Sequence, residues 1–355
     1  MELSARLGSL MPYRKAADVL AEFLPVKSTE SLVTVLHRTL NLGKRLDEKA
    51  RDRAWFEPPQ EEERDQIELD LPNDPEREFV VSIDTAHVRG APEADGRTFE
   101  IAVARCGRGQ RGSRPGHYFV TADTSKQGLR LRTLQALQRE GYTGRGEITV
   151  LSDGAEIMKR LPRGLPHPTK HIVDWFHIAM KIQPLQQVAD HIVRWRDERT
   201  NETVILDEEI RGLKWKLWHG QVDRAMQQLE EMIADMAMLR EQGDLSAGRI
   251  WQLAQPLLTY IRLNKDAIVD YGARYRSGRR IATALAESAV NSLPARRMVK
   301  KQQMRWSKRG AHMMLQARAA VMNGNLREQL RYQPPIFKSR LDWLFKPTPP
   351  LLRAA

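Results

Sequence analysis

Two short segments restrict what this chain can fold into, because in each an apolar run ends in an aspartate that small residues follow at once. The segments are VVSIDTA at Asp84 and TVLSDGA at Asp153. Such a run indicates a buried strand, and a carboxylate at its end costs free energy unless it has a partner. A divalent cation such as Mg²⁺, which prefers oxygen ligands, is one such partner. The alternative is that each aspartate caps the helix or turn that follows it.

The segments around these aspartates predict one α/β sheet. Three strand candidates come first: FVVSIDTAHV, TFEIAVARC and GHYFVTAD. A helix candidate follows, and then the strand EITVLSDGA, the short helix AEIMKRL and the strand KHIVDWFHI. Three strands that can form a meander, followed by strand–helix alternation, indicate a mixed five-stranded sheet with helices on its faces.

The chain divides into regions of different composition. They are a helical N-terminal region (1–56), an acidic, proline-rich linker (57–78), the first part of the sheet domain (79–177), an all-helical insertion (178–280), the final helical part of the sheet domain (281–326) and a C-terminal tail (327–355). The N-terminal helices predict either a packing module or a helix-turn-helix that reads DNA.

A third carboxylate candidate, Glu287, lies after the helical insertion. It is the only acid between Tyr271 and Leu326, in a stretch rich in lysine and arginine, and small apolar residues flank it. An acid on such a helix can approach a sheet closely. The alternative is a solvated surface position.

The charge balance favours a polyanionic partner. Lysine and arginine number 57 against 45 aspartates and glutamates, which gives a formal net charge of +12. A surplus of this size favours phosphate contacts and the release of counterions. The single cysteine, Cys106, excludes an intrachain disulfide and a cysteine-cluster zinc site. No apolar stretch reaches the 18 or more residues of a membrane span, so no membrane partner is expected.

Two basic sets are candidates for DNA contacts, although a solvated charged face is the ordinary explanation of such runs. The first recurs every three residues in a glycine-rich segment between two strand candidates: Arg105, Arg108, Arg111 and Arg114. The second follows Glu287 and would line one helical face: Arg297, Lys301, Arg305 and Lys308.

Three segments resemble the DDE transposases of bacterial insertion sequences, of the ISKra-type family, which has a layout related to Mutator-like transposases. They are SIDTAHV, LSDGA followed by VDWFH, and AESAVN with RRMVKKQQMRWSKRGAHMMLQARAAVMNG. The resemblance implies an RNase H-like catalytic domain in which Asp84, Asp153 and Glu287 form the metal-binding triad. Asp174 and His177 would form a supporting motif beside it.

The resemblance also implies the chemistry and the partners. Two Mg²⁺ ions, which Mn²⁺ can replace, would stabilise the attacking and leaving oxygens of an in-line phosphoryl transfer. The substrates would be the double-stranded terminal inverted repeats of an element and its target DNA. We expect a homo-oligomer on DNA, in the bacterial cytoplasm and associated with the nucleoid. Pro294 departs from the expected pattern, because it falls within the helix that should carry Glu287 and would kink it.

Two rival hypotheses remain open. One is an RNase H-like nuclease or junction resolvase that hydrolyses nucleic acid without strand transfer. The other is a catalytically silent DNA-binding protein that descends from a transposase. The three acids speak against the silent protein, and the long insertion and the basic helix after Glu287 favour the transposase over a compact nuclease.

Overall fold

A mixed five-stranded sheet forms the centre of the fold in a computed structural model of the chain. The structure describes residues 2–24, 31–52, 78–92, 97–112, 116–144, 146–159, 161–166, 168–189, 193–196, 203–283, 290–298 and 304–331. The strands of the sheet are β1 Phe79–Arg89, β2 Thr98–Arg108, β3 His117–Thr121, β4 Ile148–Ser152 and β5 Thr169–Val173. Their order across the sheet is β3-β2-β1-β4-β5.

The strand directions agree with the prediction of a meander followed by strand–helix alternation. β2 runs antiparallel to both β1 and β3, whereas β1, β4 and β5 run parallel to one another. The expected α/β fold with a mixed five-stranded sheet flanked by helices is therefore confirmed, and it is compatible with an RNase H-like fold.

Helices precede the sheet, connect its strands and follow it. They are α1 Glu2–Leu10, α2 Tyr13–Phe23, α3 Leu32–Asp52, α4 Lys126–Arg139, α5 Glu156–Lys159, α6 Trp175–Ala189, α7 Leu206–Trp218, α8 Val222–Glu241, α9 Leu245–Leu263, α10 Tyr271–Arg276, α11 Lys308–Met322 and α12 Leu326–Arg331. Side chains of Ser125, Asp244 and Ser307 accept hydrogen bonds from the first turns of α4, α9 and α11, which fixes where these helices begin. Across the described residues, no helix has both the length and the apolar character that crossing a membrane requires.

The two faces of the sheet are covered by different helices, because side chains alternate along a strand. Val81 and Ile83 of β1 belong to a core that includes Leu129 and Leu137 of α4. Val80, on the opposite face, belongs to the core built by α6 to α9. α11 covers the β2 and β3 half of that same face, through a separate core. Asp84 is four residues from Val80 along β1, so its side chain lies on the same face of the sheet. This face is covered by α11 and by the helices after β5.

The region after β5 differs from the all-helical insertion that we predicted. Val193–Arg196 and Thr203–Ile205 form a short antiparallel strand pair, β6 and β7, between α6 and α7. The β-branched and aromatic residues of VRWR and TVI suit extended backbone. The pair is too short to give a clear periodic signal in the sequence.

The N-terminal helices share a core with α11. Ala5 and Leu42 pack with Ala317 and Ala320 of α11. α3 and α11 approach so closely that a Cβ atom added to Gly43 would lie 1.8 Å from a backbone carbonyl oxygen of α11. Only glycine therefore suits this position. The predicted linker lies outside the described residues, apart from Glu78.

The proline that we expected to kink the helix after Glu287 lies in a π-helical turn. The turn spans Asn291–Ala295 and contains Pro294. Proline has no N–H to donate to the helical ladder, and a π-helical turn is one way in which a helix accommodates that loss. Val290 and Leu293 then pack against the core under α11.

Candidate active site

Three aspartates lie side by side on three neighbouring parallel strands, Asp84 within β1 and Asp153 and Asp174 directly after β4 and β5. The register of β1 and β4, continued two residues past its last pair, brings Asp84 opposite Asp153. The register of β4 and β5, continued by one residue, brings Asp153 opposite Asp174. Because neighbouring strands are about 4.8 Å apart, this arrangement concentrates negative charge at one edge of the sheet.

Asp84 lies where β4 ends beside β1, while β1 continues its pairing with β2 to Arg89. One carboxylate oxygen, Oδ1, accepts a hydrogen bond of 2.7 Å from the backbone N–H of Thr85. Burial raises the pKa of Asp84, and the negative charges of Asp153 and Asp174 raise it further. The carboxylate therefore lies in a position that a nearby cation would stabilise.

Asp153 follows β4 in a turn that fixes its backbone. Its Oδ1 accepts a hydrogen bond of 2.9 Å from the N–H of Ala155. Gly154 adopts a φ of +83°, a value that glycine adopts without strain. The Gly154 N–H donates a hydrogen bond of 3.1 Å to Ser152 Oγ, and Ser152 Oγ lies 2.8 Å from Nε2 of His171 on β5.

Asp174 is fully buried, and both of its carboxylate oxygens accept hydrogen bonds. Oδ1 accepts from the N–H of Phe176 at 2.7 Å. Oδ2 accepts from the N–H of Thr283 at 3.0 Å, from the Thr283 hydroxyl, and from His177 Nδ1 at 3.1 Å. Burial raises the pKa of Asp174, but these hydrogen bonds outweigh burial and hold the pKa below its usual value. The hydrogen-bonding capacity of Asp174 is thus largely used within the fold.

His177 is hydrogen-bonded to Asp174 at the edge of the site. The pKa of His177 is raised, mainly by its hydrogen bond to Asp174. Burial lowers the pKa, but the negative charges of Asp174, Asp153 and Asp84 raise it further. The side chain is 21% exposed, so the ring reaches solvent at the edge of the site. The bond to Asp174 is the one expected of a structural histidine, and the partial exposure leaves Nε2 available for a further contact.

Asp84 and Asp153 have a donor set suited to a hard divalent cation, although they do not complete a site. Each uses Oδ1 in a local backbone turn, and no described residue donates to Oδ2 of either. Among the described residues, no group of three or more histidine, cysteine, aspartate or glutamate side chains could hold a metal ion. Glu287 lies in the segment 284–289, outside the described residues. A site with three carboxylates therefore stays a prediction.

The predicted basic set around β2 is divided between buried and exposed positions. Arg105 and Arg108 lie within β2 rather than in a loop. Arg105 is only 6% exposed, packs over the ring of Tyr118 at 4.5 Å and donates to the carbonyl of Gly116. This corrects the expectation that Arg105 faces DNA. Arg108 and Arg111 are exposed, whereas Arg114 lies outside the described residues.

The second basic set is divided in the same way. Arg297 is 1% exposed, and its guanidinium lies between the rings of Tyr13, at 4.4 Å, and Trp306, at 5.2 Å. This corrects the expectation that Arg297 faces DNA, because the aromatic rings and the core around them cover it. Arg305 and Lys308 are exposed, and Lys301 lies outside the described residues.

The structure adds residues that the sequence pattern did not indicate. Tyr260 of α9 donates a hydrogen bond of 2.7 Å from its hydroxyl to the backbone carbonyl of Asp153. Lys181, an exposed residue of α6, lies with Nζ 4.4 Å from the centre of the Tyr260 ring. Phe176 is 47% exposed beside His177. No local motif marks Tyr260, since it lies 107 residues from Asp153.

Comparisons with known proteins identify no family. No protein-family model matches the chain, and no curated protein matches it. Among solved structures, the chain is similar to the Drosophila P element transposase strand transfer complex, with a TM-score of 0.37 and 12% sequence identity over 92% of each chain. A likeness at this level does not bear on the function.

Proposed function

We propose that the chain is a DDE transposase that cuts and joins DNA at the ends of an insertion sequence by in-line phosphoryl transfer. The observation that carries the proposal is the register of Asp84 and Asp153 on adjacent parallel strands. The proposal is supported further by the three sequence segments that resemble such transposases, and by the net charge of +12. Glu287 is the proposed third carboxylate.

The carboxylates would hold Mg²⁺, for which Mn²⁺ can substitute. The Oδ2 atoms of Asp84 and Asp153, together with Glu287, would be the protein ligands, leaving other positions for water and phosphate oxygens. When bound, two such ions neutralise charge that develops on the attacking and leaving oxygens of the phosphodiester. The raised pKa of Asp84, which comes first from burial and then from the charges of Asp153 and Asp174, supports the proposal, because a bound cation would stabilise the charged carboxylate.

Asp174 and His177 would support these ligands. Asp174 accepts hydrogen bonds from Nδ1 of His177 and from the N–H and hydroxyl of Thr283. It therefore joins the end of β5 to Thr283, which precedes Glu287 by four residues in the sequence. His177, with Nδ1 fixed by Asp174, would direct Nε2 towards a phosphate oxygen of the substrate. A positive charge on His177, which its raised pKa favours, strengthens such a contact.

Double-stranded DNA is the proposed partner, and a homo-oligomer assembled on DNA is the proposed active form. Arg305 and Lys308 are exposed at the start of α11, close to the backbone pairing of Trp306 with Gly90 at the far end of β1. Arg108 and Arg111 are exposed at the opposite end of the sheet domain. We propose that Arg305 and Lys308 contact DNA near the active site, because they lie beside the end of β1, the strand that contains Asp84.

The test is cleavage of DNA taken from both flanks of the gene, with Mg²⁺ and with EDTA. Asp84→Asn, Asp153→Asn and Glu287→Gln should each abolish cleavage and retain DNA binding, because each change removes charge without changing shape. Asp123→Asn is the matched control, since Asp123 is an exposed aspartate that follows β3 at the same edge of the sheet. Full cleavage by any of the three variants would remove that residue from the site.

The products distinguish transposition from the rival functions. A labelled end with a free 3′ hydroxyl should become joined to a supercoiled plasmid in the presence of Mg²⁺. Cleavage without any joined product would instead identify a nuclease or resolvase. Binding without cleavage, for DNA carrying both flanks, would identify a catalytically silent protein and overturn the proposal.

A further inference from the structure

The peptide group between Asp153 and Gly154 is held from both sides. Its carbonyl accepts the hydrogen bond of 2.7 Å from the Tyr260 hydroxyl. Its N–H donates the hydrogen bond of 3.1 Å to Ser152 Oγ. One of these two partners belongs to the strand itself, whereas the other belongs to α9, which lies in the helical region after β5.

This peptide needs an external partner to hold one orientation. Gly154 has no side chain and accepts positive as well as negative φ values, so the backbone itself restricts the peptide weakly. A rotation of the peptide would change the direction in which Asp153 projects its carboxylate.

A second tyrosine makes the same kind of contact on the neighbouring strand. Tyr271 of α10 is fully buried, and its hydroxyl donates a hydrogen bond of 2.8 Å to the carbonyl of Val173, the residue before Asp174. The helical region thus contacts the ends of β4 and β5 through two hydroxyl–carbonyl bonds. Each of these bonds lies at or directly before an aspartate of the site.

We propose that Tyr260 is a positioning residue for Asp153, through which the helical region after β5 sets the direction of the carboxylate that binds metal. The inference rests on the proposed function, because it concerns the same site. Tyr260 itself does not contact the metal or the DNA in this role. Its ring also packs against Lys181, which keeps it in place beside α6.

The test is Mn²⁺ affinity, measured by electron paramagnetic resonance on the full chain without DNA. Tyr260→Phe keeps the ring and its contact with Lys181 and removes only the hydroxyl. We expect its Mn²⁺ affinity to fall about tenfold, as is usual when a group that orients a metal ligand is lost. Tyr275→Phe is the matched control: Tyr275 is 46% exposed on α10, and its ring, which the change retains, packs against Arg111.

The outcomes separate this inference from the proposed function. If the wild-type chain binds no Mn²⁺, the metal site of the proposed function fails. If the wild type binds Mn²⁺ and Tyr260→Phe binds it equally well, the positioning role of Tyr260 is overturned. Thermal unfolding without metal shows whether Tyr260→Phe is folded at the assay temperature. If it is not, the wild type and Tyr260→Phe are compared at a lower temperature at which both are folded, and equal Mn²⁺ affinities there overturn the inference.

Discussion

A single carboxylate oxygen of Asp174 accepts hydrogen bonds from both the backbone N–H and the hydroxyl of Thr283. The two residues are 109 positions apart, so the contact joins the end of β5 to the chain that returns from the helical region. Asp174 is fully buried, and a buried charge is tolerated only when hydrogen bonds replace the water that it has lost. Thr283 supplies two of those bonds.

Asp174→Asn should therefore destabilise the fold strongly. An amide carries no charge, and in either orientation its NH2 group faces a donor, which is the Phe176 N–H on one side or Thr283 and His177 on the other. We expect a loss of about 2–4 kcal/mol in the free energy of unfolding, measured by urea titration. Thr283→Val, which removes only the hydroxyl, should cost about 1 kcal/mol. Equal losses in the two variants would show that the charge of Asp174 contributes little.

The sheet and its aspartates were predictable from sequence because their signals are local. Each strand is a short apolar run, and Asp84 and Asp153 follow such runs directly. The contacts of Tyr260 and Thr283 with the site were not predictable, since they join residues more than 100 positions apart. No local pattern records which carbonyl a tyrosine will meet. The role of Glu287 stays a prediction, because it lies outside the described residues.

The basic residues show a second limit of sequence reasoning. A count of charges gives the net charge but not which arginines are exposed. Arg297 and Arg305 occur in one basic stretch, yet the first lies between two aromatic rings and the second is exposed. Guanidinium groups stack well on aromatic faces, so a buried arginine next to tyrosine or tryptophan is physically reasonable. Spacing alone does not distinguish the two cases.

A buried ion pair joins Glu78, directly before β1, to Arg274 of α10. Glu78 is 1% exposed, and its Oε1 accepts a hydrogen bond of 2.7 Å from Arg274 Nη2. We expect Arg274→Met to destabilise the fold by about 3–5 kcal/mol, because it leaves the Glu78 charge buried with a weaker partner. Urea titration measures the loss.

The control for this ion pair is a surface pair. Lys265 Nζ lies 2.6 Å from Asp223 Oδ1, and the side chains of Asp223 and Lys265 are 75% and 47% exposed. Asp223→Asn should change the free energy of unfolding by less than about 1 kcal/mol, as is usual for exposed pairs. If Arg274→Met lowered the free energy of unfolding no more than Asp223→Asn, the prediction that burial makes the Glu78–Arg274 pair important would be wrong.

The stability of the fold should fall as the pH drops below about 6.5, the ordinary pKa of histidine. Burial lowers the pKa of His117 to about 3, with the charge of Arg139 adding to the effect. Burial lowers the pKa of His171 to about 4, and the positive charge of Lys159 lowers it further. Between these values and pH 6.5 these two histidines bind more protons in the unfolded chain than in the folded chain, so their contribution to stability rises with pH across this window.

His117→Gln tests this pH dependence. His117 Nε2 lies 3.0 Å from Nδ2 of Asn323 and 3.3 Å from Nη1 of Arg139, two donors that favour the neutral ring. Glutamine can accept from the same donors and does not titrate. We expect the free energy of unfolding, measured in urea from pH 7 to pH 4.5, to depend less steeply on pH in the variant. An unchanged slope would exclude His117 as a source of the acid sensitivity.

Lys181 should contribute to DNA binding. It is exposed on α6, one turn after His177, and its Nζ lies over the ring of Tyr260 beside the Asp153 backbone. A cation in this place suits a phosphate of DNA that enters the site. Lys181→Gln should weaken DNA binding and reduce the slope of log affinity against log salt by about 0.9, the value for one phosphate contact. Fluorescence anisotropy over a range of salt concentrations measures both quantities. Lys15→Gln, at an exposed position on α2, is the matched control, and a slope equally reduced in both variants would show that Lys181 acts only through the net charge.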